Sequence, residues 1–245
     1  SKPVEELKKD PGFMVRLAIA KAIDREQFIE QGLFGYGVPG FGTINPAMRF
    51  YYDESVAERS EQRSDIEAAK QLMADAGHPN GEGLPPVTLG YRTQYDVQKE
   101  CEIAQFLWKK HLNVDVRLEN MEWKVFLNRL ANDPPQIFRL GWFVDYPDAD
   151  SLMGMFIAES GNNHTRWKNP RYDALVAEAV VTLDPARRSA LYDEAQRLLL
   201  EEHAAIAPIY QAQKLWLLKP HIRGLTINEI NLIDIDSLSV QPPGG

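Results

Sequence analysis

PVTLGYRTQYDVQKECEIAQFLWKKHLNVDVRLENMEWKVFLNRLANDPPQIFRLGW, residues 86–142, is the stretch that decides the fold. Val87, Leu89 and Tyr91 alternate with smaller or polar residues, which predicts a strand over 86–92. Residues 96–111 then change period. Val97, Ile103, Ala104, Leu107 and Trp108 fall on one helical face. Val114, Val116 and Leu118 restore the alternation and predict a strand over 113–119. EWKVFLNRLAN is helical, DPP stops it, and QIFRLGW reads as a third strand with Ile137 and Leu140 as core candidates. Strands separated by helices at about 25-residue spacing describe a βαβαβ unit, so the fold class is α/β. Such sheets hold ligands beyond the carboxyl ends of their strands. The third strand ends at Gly141-Trp142, which directs attention there.

Upstream, residues 13–33 read as one helix with Val15, Ile19, Ala22 and Ile23 as its stripe and Gly32 as its stop. A helix over 65–76 has Ser64 as expected cap and Glu67 at the capping-box position. Downstream, ADSLMGMF and NPRYDALVAEAVVTL are helical. A further helix opens with Asp184 as cap and Pro185 at its first position, and turns Leu191, Ala195, Leu198 and Leu199 inward. IAPIYQAQKLWLLKP reads as two short β-type runs, IRGLTINEINLIDIDSLSV as a weakly alternating edge strand, and SVQPPGG as a frayed tail.

The 245 residues carry 27 Lys and Arg against 35 Asp and Glu, a net charge of −8. That balance argues against a nucleic-acid backbone or an anionic membrane surface as partner. With 44% hydrophobic and 25% charged residues the composition is that of a globular protein. No apolar run approaches the roughly 18 residues of a membrane span. The lone Cys101 makes no internal disulfide and lies in a helical pattern, where packing is the simpler role.

Most candidate chemistry is incomplete. GYGVPGFG, residues 35–42, has neither GxGxxG nor GKS/GKT and follows a helix, the wrong order for a phosphate loop. It reads as a loop wrapping a neighbouring surface, with Tyr36, Phe41, Phe50, Tyr51 and Tyr52 either lining a groove or packed. His78, His111, His164, His203 and His221 show no metal-ligand spacing. His164, in a polar loop, is a ligand contact or simply solvated. No metal and no cofactor is expected. There is no GxSxG elbow and no Cys–His pair, so nucleophilic catalysis has no support.

The carboxylates of VDYPDAD are more informative. Asp148 is expected to cap a helix over 149–156, and Asp150 falls in its first turn. A hydrolase would need Asp145 and Asp148 facing each other across a substrate. Asp145 follows an aromatic run at a strand end. A single carboxylate between aromatic walls suits a cationic group, with Trp142 and Tyr146 supplying apolar or cation–π contact. A free peptide amine is the natural partner of such a site.

Four stretches then carry a resemblance. VRLAIAKAIDREQFIEQGLFGYGVPGFGTINP (15–46), SDIEAAKQLMADAGHPNGEGLPPVTLGY (64–91), FRLGWFVDYPDADSLMGMF (138–156) and DPARRSALYDEAQRLLLEEHAAIAPIYQ (184–211) resemble, in order, segments of family 5 extracellular solute-binding proteins. These are the oligopeptide, dipeptide and nickel receptors of ABC importers. The KKDPGFM entry departs from the family's pattern. The resemblance implies one lobe of a type II periplasmic-binding fold, a mixed sheet flanked by helices. It implies a C-terminal ligand-binding lobe over 1–207 and a return segment over 208–245 toward another lobe, whose missing strands would leave edges prone to self-association.

It further implies that Asp145 binds the ligand's amino terminus, that Arg139 takes part in the site and that Trp142 lines a pocket. The implied partners are a small peptide and the ABC permease subunits. The implied location is periplasmic or extracellular, with a lipoprotein anchor as one option. A nickel-, haem- or sugar-binding member of the family is the alternative, and a small α/β hydrolase using Asp145 and Asp148 is the rival from another class.

Overall fold

The computed structural model describes residues 4–46, 48–228 and 232–241. In chain order the helices are α1 (Val4–Leu7), α2 (Pro11–Lys21), α3 (Arg25–Gly32), α4 (Ser55–Arg59), α5 (Ile66–Asp75), α6 (Tyr95–Leu112), α7 (Trp123–Asn132), α8 (Asp150–Met153), α9 (Pro170–Val181) and α10 (Pro185–Arg197). The strands are β1 (Val38–Pro39), β2 (Val87–Arg92), β3 (Val116–Met121), β4 (Ile137–Phe138), β5 (Tyr210–Gln211), β6 (Ile222–Arg223), β7 (Thr226–Ile227), β8 (Ile233–Asp234) and β9 (Ser239–Val240). Among the described residues no helix is long and apolar enough to cross a membrane.

The expected βαβαβ unit is present. Its sheet is parallel, in the order β3-β2-β4, with Val87 opposite Val116 and Leu89 opposite Ile137. The antiparallel pairs β1–β5, β6–β9 and β7–β8 stand apart from it. The chain passes from β2 to a neighbour on one side and then crosses to the other. In such a sheet the ligand crevice opens at the carboxyl ends where the winding reverses. Here that point is the end of β2 and β4.

Two cores flank this point. The sheet core joins Leu89, Tyr91 and Val116 to Leu107 and Trp108 of α6 and to Ala18 and Ala22. The indole N–H of Trp108 donates to the Ile19 carbonyl at 2.9 Å, so α6 and α2 are fixed by a hydrogen bond as well as by packing. Cys101 is fully buried in this core, and burial pushes its thiol up to about 12, which suits packing rather than reaction. The second core is helical and packs Met153, Tyr172, Val176, Leu191, Ala195 and Leu199.

Several boundaries differ from expectation. The single helix expected over 13–33 is two, because Asp24 leaves the helix and accepts the Gln27 N–H at 3.0 Å to start α3. The buried residues of α2 are Phe13, Leu17, Ala18 and Ala20, with Val15 and Ile19 only half-buried. The cap of α5 is Asp65 rather than Ser64. Asn113, at φ 55°, closes α6 in the left-handed region, so β3 begins three residues later than expected. The third strand shrinks to Ile137–Phe138. Asp184 and Pro185 open α10 as expected.

The Gly-rich loop does wrap a neighbour. Gly40 donates to the Ile209 carbonyl at 3.0 Å, and a Cβ there would stand 3.0–3.1 Å from the Tyr210 backbone. Of the aromatics near it, Phe41 packs under Arg25 while Tyr36 and Phe50 are exposed. Only one of the two β-type runs expected over 206–220 forms, as β5, and the expected edge strand becomes short antiparallel pairs. Part of that stretch, 229–231, lies outside the described residues, as do 242–245 of the expected frayed tail, while Ser239 and Val240 form β9.

Candidate functional site

Beyond Phe138 the chain keeps one more bond to the sheet, from the Arg139 N–H to the Gly90 carbonyl at 2.9 Å, and then leaves it. The following loop reaches α8. It is exposed over 141–143 and 145–147, where Trp142, Phe143, Asp145 and Tyr146 face solvent. This is the carboxyl end of β4, beside the reversal of the winding. The sequence-predicted residues Arg139, Trp142, Asp145 and Tyr146 therefore share one loop.

Asp145 is held by its backbone. Its N–H donates to Ser151 Oγ at 3.2 Å, while no described side chain donates to its carboxylate. An exposed carboxylate without a protein partner is free to take a charged donor from a ligand. Beside it, Tyr146 donates its hydroxyl to Asp150 at 2.7 Å. That bond to a carboxylate, with some burial, pushes the phenol up to about 12, so it stays protonated at neutral pH. Phe143 lies under Lys214, with the ammonium 5.7 Å from the ring centroid, which brings the last part of the chain to the rim of the loop.

Asp148 differs from its expected role. It does receive the Asp150 N–H at 2.9 Å, but α8 begins only at Asp150. Its two oxygens are gripped by the guanidinium of Arg188 at 2.9 and 3.0 Å, and Tyr51 donates to one of them at 3.1 Å. A carboxylate so engaged is not available as a second hydrolytic group beside Asp145.

Arg139 is also engaged. Its Nε donates to Glu100 at 2.6 Å and its Nη2 donates to Glu100 at 3.0 Å and to the Tyr210 hydroxyl at 2.6 Å. Tyr210 in turn donates to Glu100 at 2.9 Å. Burial alone would lower the Arg139 pKa, but Glu100 and Tyr210 outweigh it and hold it above the ordinary value. Burial, opposed by Arg139 and assisted by Glu100, pushes Tyr210 up to about 12. Nη1, the remaining corner of the fork, lies against Gly141, where a Cβ would stand 3.2 Å from it.

Glu100, Tyr210, Arg188 and Phe143 are the residues that sequence reasoning passed over. A signal existed for one: Glu100 lies between Val97 and Ala104 on the inward face of a helix, where a carboxylate demands a buried cation. Arg188 and Tyr210 are far from Asp148 and Arg139 in sequence, and no local pattern pairs them.

A model of the bacterial extracellular solute-binding proteins, family 5 (middle), matches residues 14–164. The chain is 32% identical over 218 residues to the periplasmic oligopeptide-binding protein OppA of Escherichia coli, covering 86% of this chain and 39% of that protein. It is 33% identical over 215 residues to the periplasmic murein peptide-binding protein MppA of the same organism, covering 87% of this chain and 40% of that protein. The solved structure of the Escherichia coli murein tripeptide binding protein MppA superposes with a TM-score of 0.81 at 29% identity, over 96% of this chain and 46% of that one. The chain thus spans less than half the length of these relatives.

Proposed function

We propose a function from one premise: the chain belongs to the bacterial extracellular solute-binding proteins of family 5. It supplies one lobe of a receptor that captures peptides for an ABC importer. Residues 1–207 form the ligand-binding lobe and 208–245 return toward a second lobe. Consistent with this, no described residue from 212 to 241 is buried. The receptor works outside the cytoplasmic membrane and hands its ligand to the permease. It binds and does not catalyse.

One observation carries the peptide reading: the exposed, unpartnered carboxylate of Asp145 among Trp142, Phe143 and Tyr146, at the carboxyl end of β4. Asp145 anchors the ligand's amine by a charge-assisted hydrogen bond, and the aromatic side chains wall it. The free Nη1 corner of Arg139 supplies a donor to the ligand's polar backbone. Closure of the second lobe excludes water and strengthens these bonds. The names of the relatives, which bind oligopeptides and murein peptides, support the ligand class.

The test is thermal unfolding of the two-lobe receptor with free and N-acetylated peptides. A ligand at 100 times its Kd adds about 2.7 kcal/mol. Free peptides are expected to raise the melting temperature and acetylated ones are not. Asp145→Asn is expected to abolish the difference. Equal stabilisation by both forms refutes the amine anchor. Absence of any peptide effect refutes the peptide reading. The 245-residue chain alone, which spans less than half the length of its relatives, is expected to bind weaker than micromolar.

A further inference from the structure

We infer that Arg188 is a positioning residue for ligand binding: it sets the conformation of the loop that presents Asp145. This rests on the reading of Asp145 as the amine anchor. The connection is short and continuous. From α10, Arg188 donates through Nη1 and Nη2 to the two oxygens of Asp148 at 2.9 and 3.0 Å. Asp148 accepts the Asp150 N–H through its side chain at 2.9 Å and the Ser151 N–H through its carbonyl at 3.1 Å. Ser151 then accepts the Asp145 N–H at 3.2 Å. The guanidinium is thus linked to the backbone of the anchor through Asp148 and Ser151.

Arg188 itself has little freedom. Its Nε donates to the Ala179 carbonyl at 2.9 Å, at the end of α9. Nη1 also donates to the Tyr51 hydroxyl at 2.8 Å, and Nη2 to that of Tyr192 at 3.3 Å. The rings of these tyrosines lie 5.4 and 5.6 Å from the guanidinium carbon and 5.7 Å from each other, edge to face. Tyr192 is fully buried. Every donor nitrogen of the fork is therefore used, and the planar group is seated against aromatic rings. A lysine carries the charge but not the fork, so it cannot hold both oxygens of Asp148 and the Ala179 carbonyl together. A binding group held by a locked neighbour keeps its geometry when the ligand is absent, which is what tight binding requires.

The experiment compares Arg188→Lys and the double variant Arg188→Met/Asp148→Asn, which leaves no unpaired carboxylate should the first fold poorly. Asp145→Asn is the reference. Calorimetric titration of the two-lobe receptor with trialanine and N-acetyl-trialanine gives the preference for the free amine. Amide hydrogen exchange of the unliganded protein follows Asp145, Asp150 and Ser151. The expected result is a loss of about tenfold or more in the free-amine preference in both Arg188 variants. Asp145, Asp150 and Ser151 amides exchange about tenfold faster, while the mid-helix amides of α9 and α10 keep their rates. A lowered melting temperature with unchanged preference and unchanged loop exchange overturns the inference, leaving Arg188 a purely structural ion pair. If Asp145→Asn removes the preference and both Arg188 variants keep it, the inference fails alone. If Asp145→Asn keeps the preference, the amine reading fails and takes this inference with it.

Discussion

Glu100 is where a single substitution should be felt most. Its carboxylate is 2% exposed and accepts from two nitrogens of Arg139 and from the Tyr210 hydroxyl. Glu100→Ala leaves the Arg139 guanidinium and a phenol without their acceptor. Removing one partner of a buried ion pair costs about 3–5 kcal/mol. The Arg139 side chain keeps 23% of its exposure, so water takes up part of the loss and the lower end of that range, about 3 kcal/mol, applies. In a chain of 245 residues each kcal/mol moves the melting temperature by about 2–4 °C, which gives a fall of about 6–12 °C. Glu100→Leu combined with Arg139→Met removes both charges and should lie within about 1.5 kcal/mol of the parent, far less than the sum of the single changes. Urea unfolding followed by circular dichroism measures all of these. A cost below about 1 kcal/mol for Glu100→Ala, or additive single changes, would refute the argument that this pair is coupled and desolvated.

Two further outcomes follow from the packing. Gly90→Ala places a methyl group against the Pro135 ring and 3.2 Å from Met121 Cε, and overpacking of this kind should cost about 1–3 kcal/mol by calorimetry. An unchanged melting temperature would show that Pro135 and Met121 give way around Gly90 without cost. His203 should make the fold sensitive to acid. Its Nε2 lies 3.0 Å from Asn169 Nδ2, while Asn169 Oδ1 accepts the Arg171 and Tyr172 N–H groups and so fixes which way the amide points. The ring therefore accepts through Nε2 and is neutral. Burial lowers its pKa, with Arg16 lowering it further and Glu202 opposing. With the folded pKa below the unfolded one, the contribution is fully present above about pH 6.5 and is lost as pH falls through the folded value. Burial lowers His111 and His164 in the same direction, so His203→Phe should reduce the slope of stability against pH without removing it. A slope unchanged in urea midpoints taken across about pH 7.5 to 5 would sink this account.

Much of this arrangement was legible without coordinates. Alternation in 87–91 and 114–118 and the helical period between them gave the parallel βαβ unit, because period 2 and period 3.6 are written by burial itself. Local capping chemistry located α10 at Asp184-Pro185. The same chemistry marks the break at Asp24, where a carboxylate stands three residues before Gln27. Element ends were harder. The start of β3 is delayed by Asn113 in the left-handed region, and β4 stops at Phe138 as the chain beyond Arg139 turns away.

That Arg139, Trp142, Asp145 and Tyr146 share the stretch after β4 also belongs to the sequence, since chain order alone places them there. What the sequence by itself did not determine is which charges are free. Asp145 and Asp148 are three residues apart and look alike in one dimension. Arg188, 40 residues beyond Asp148, takes one and leaves the other. Glu100 likewise takes most of Arg139 across 39 residues, and Tyr210 joins them from farther still. Propensity and capping act within a few residues and are written in the chain. The pairing of buried charges depends on which helices pack together, and only the tertiary structure decides that.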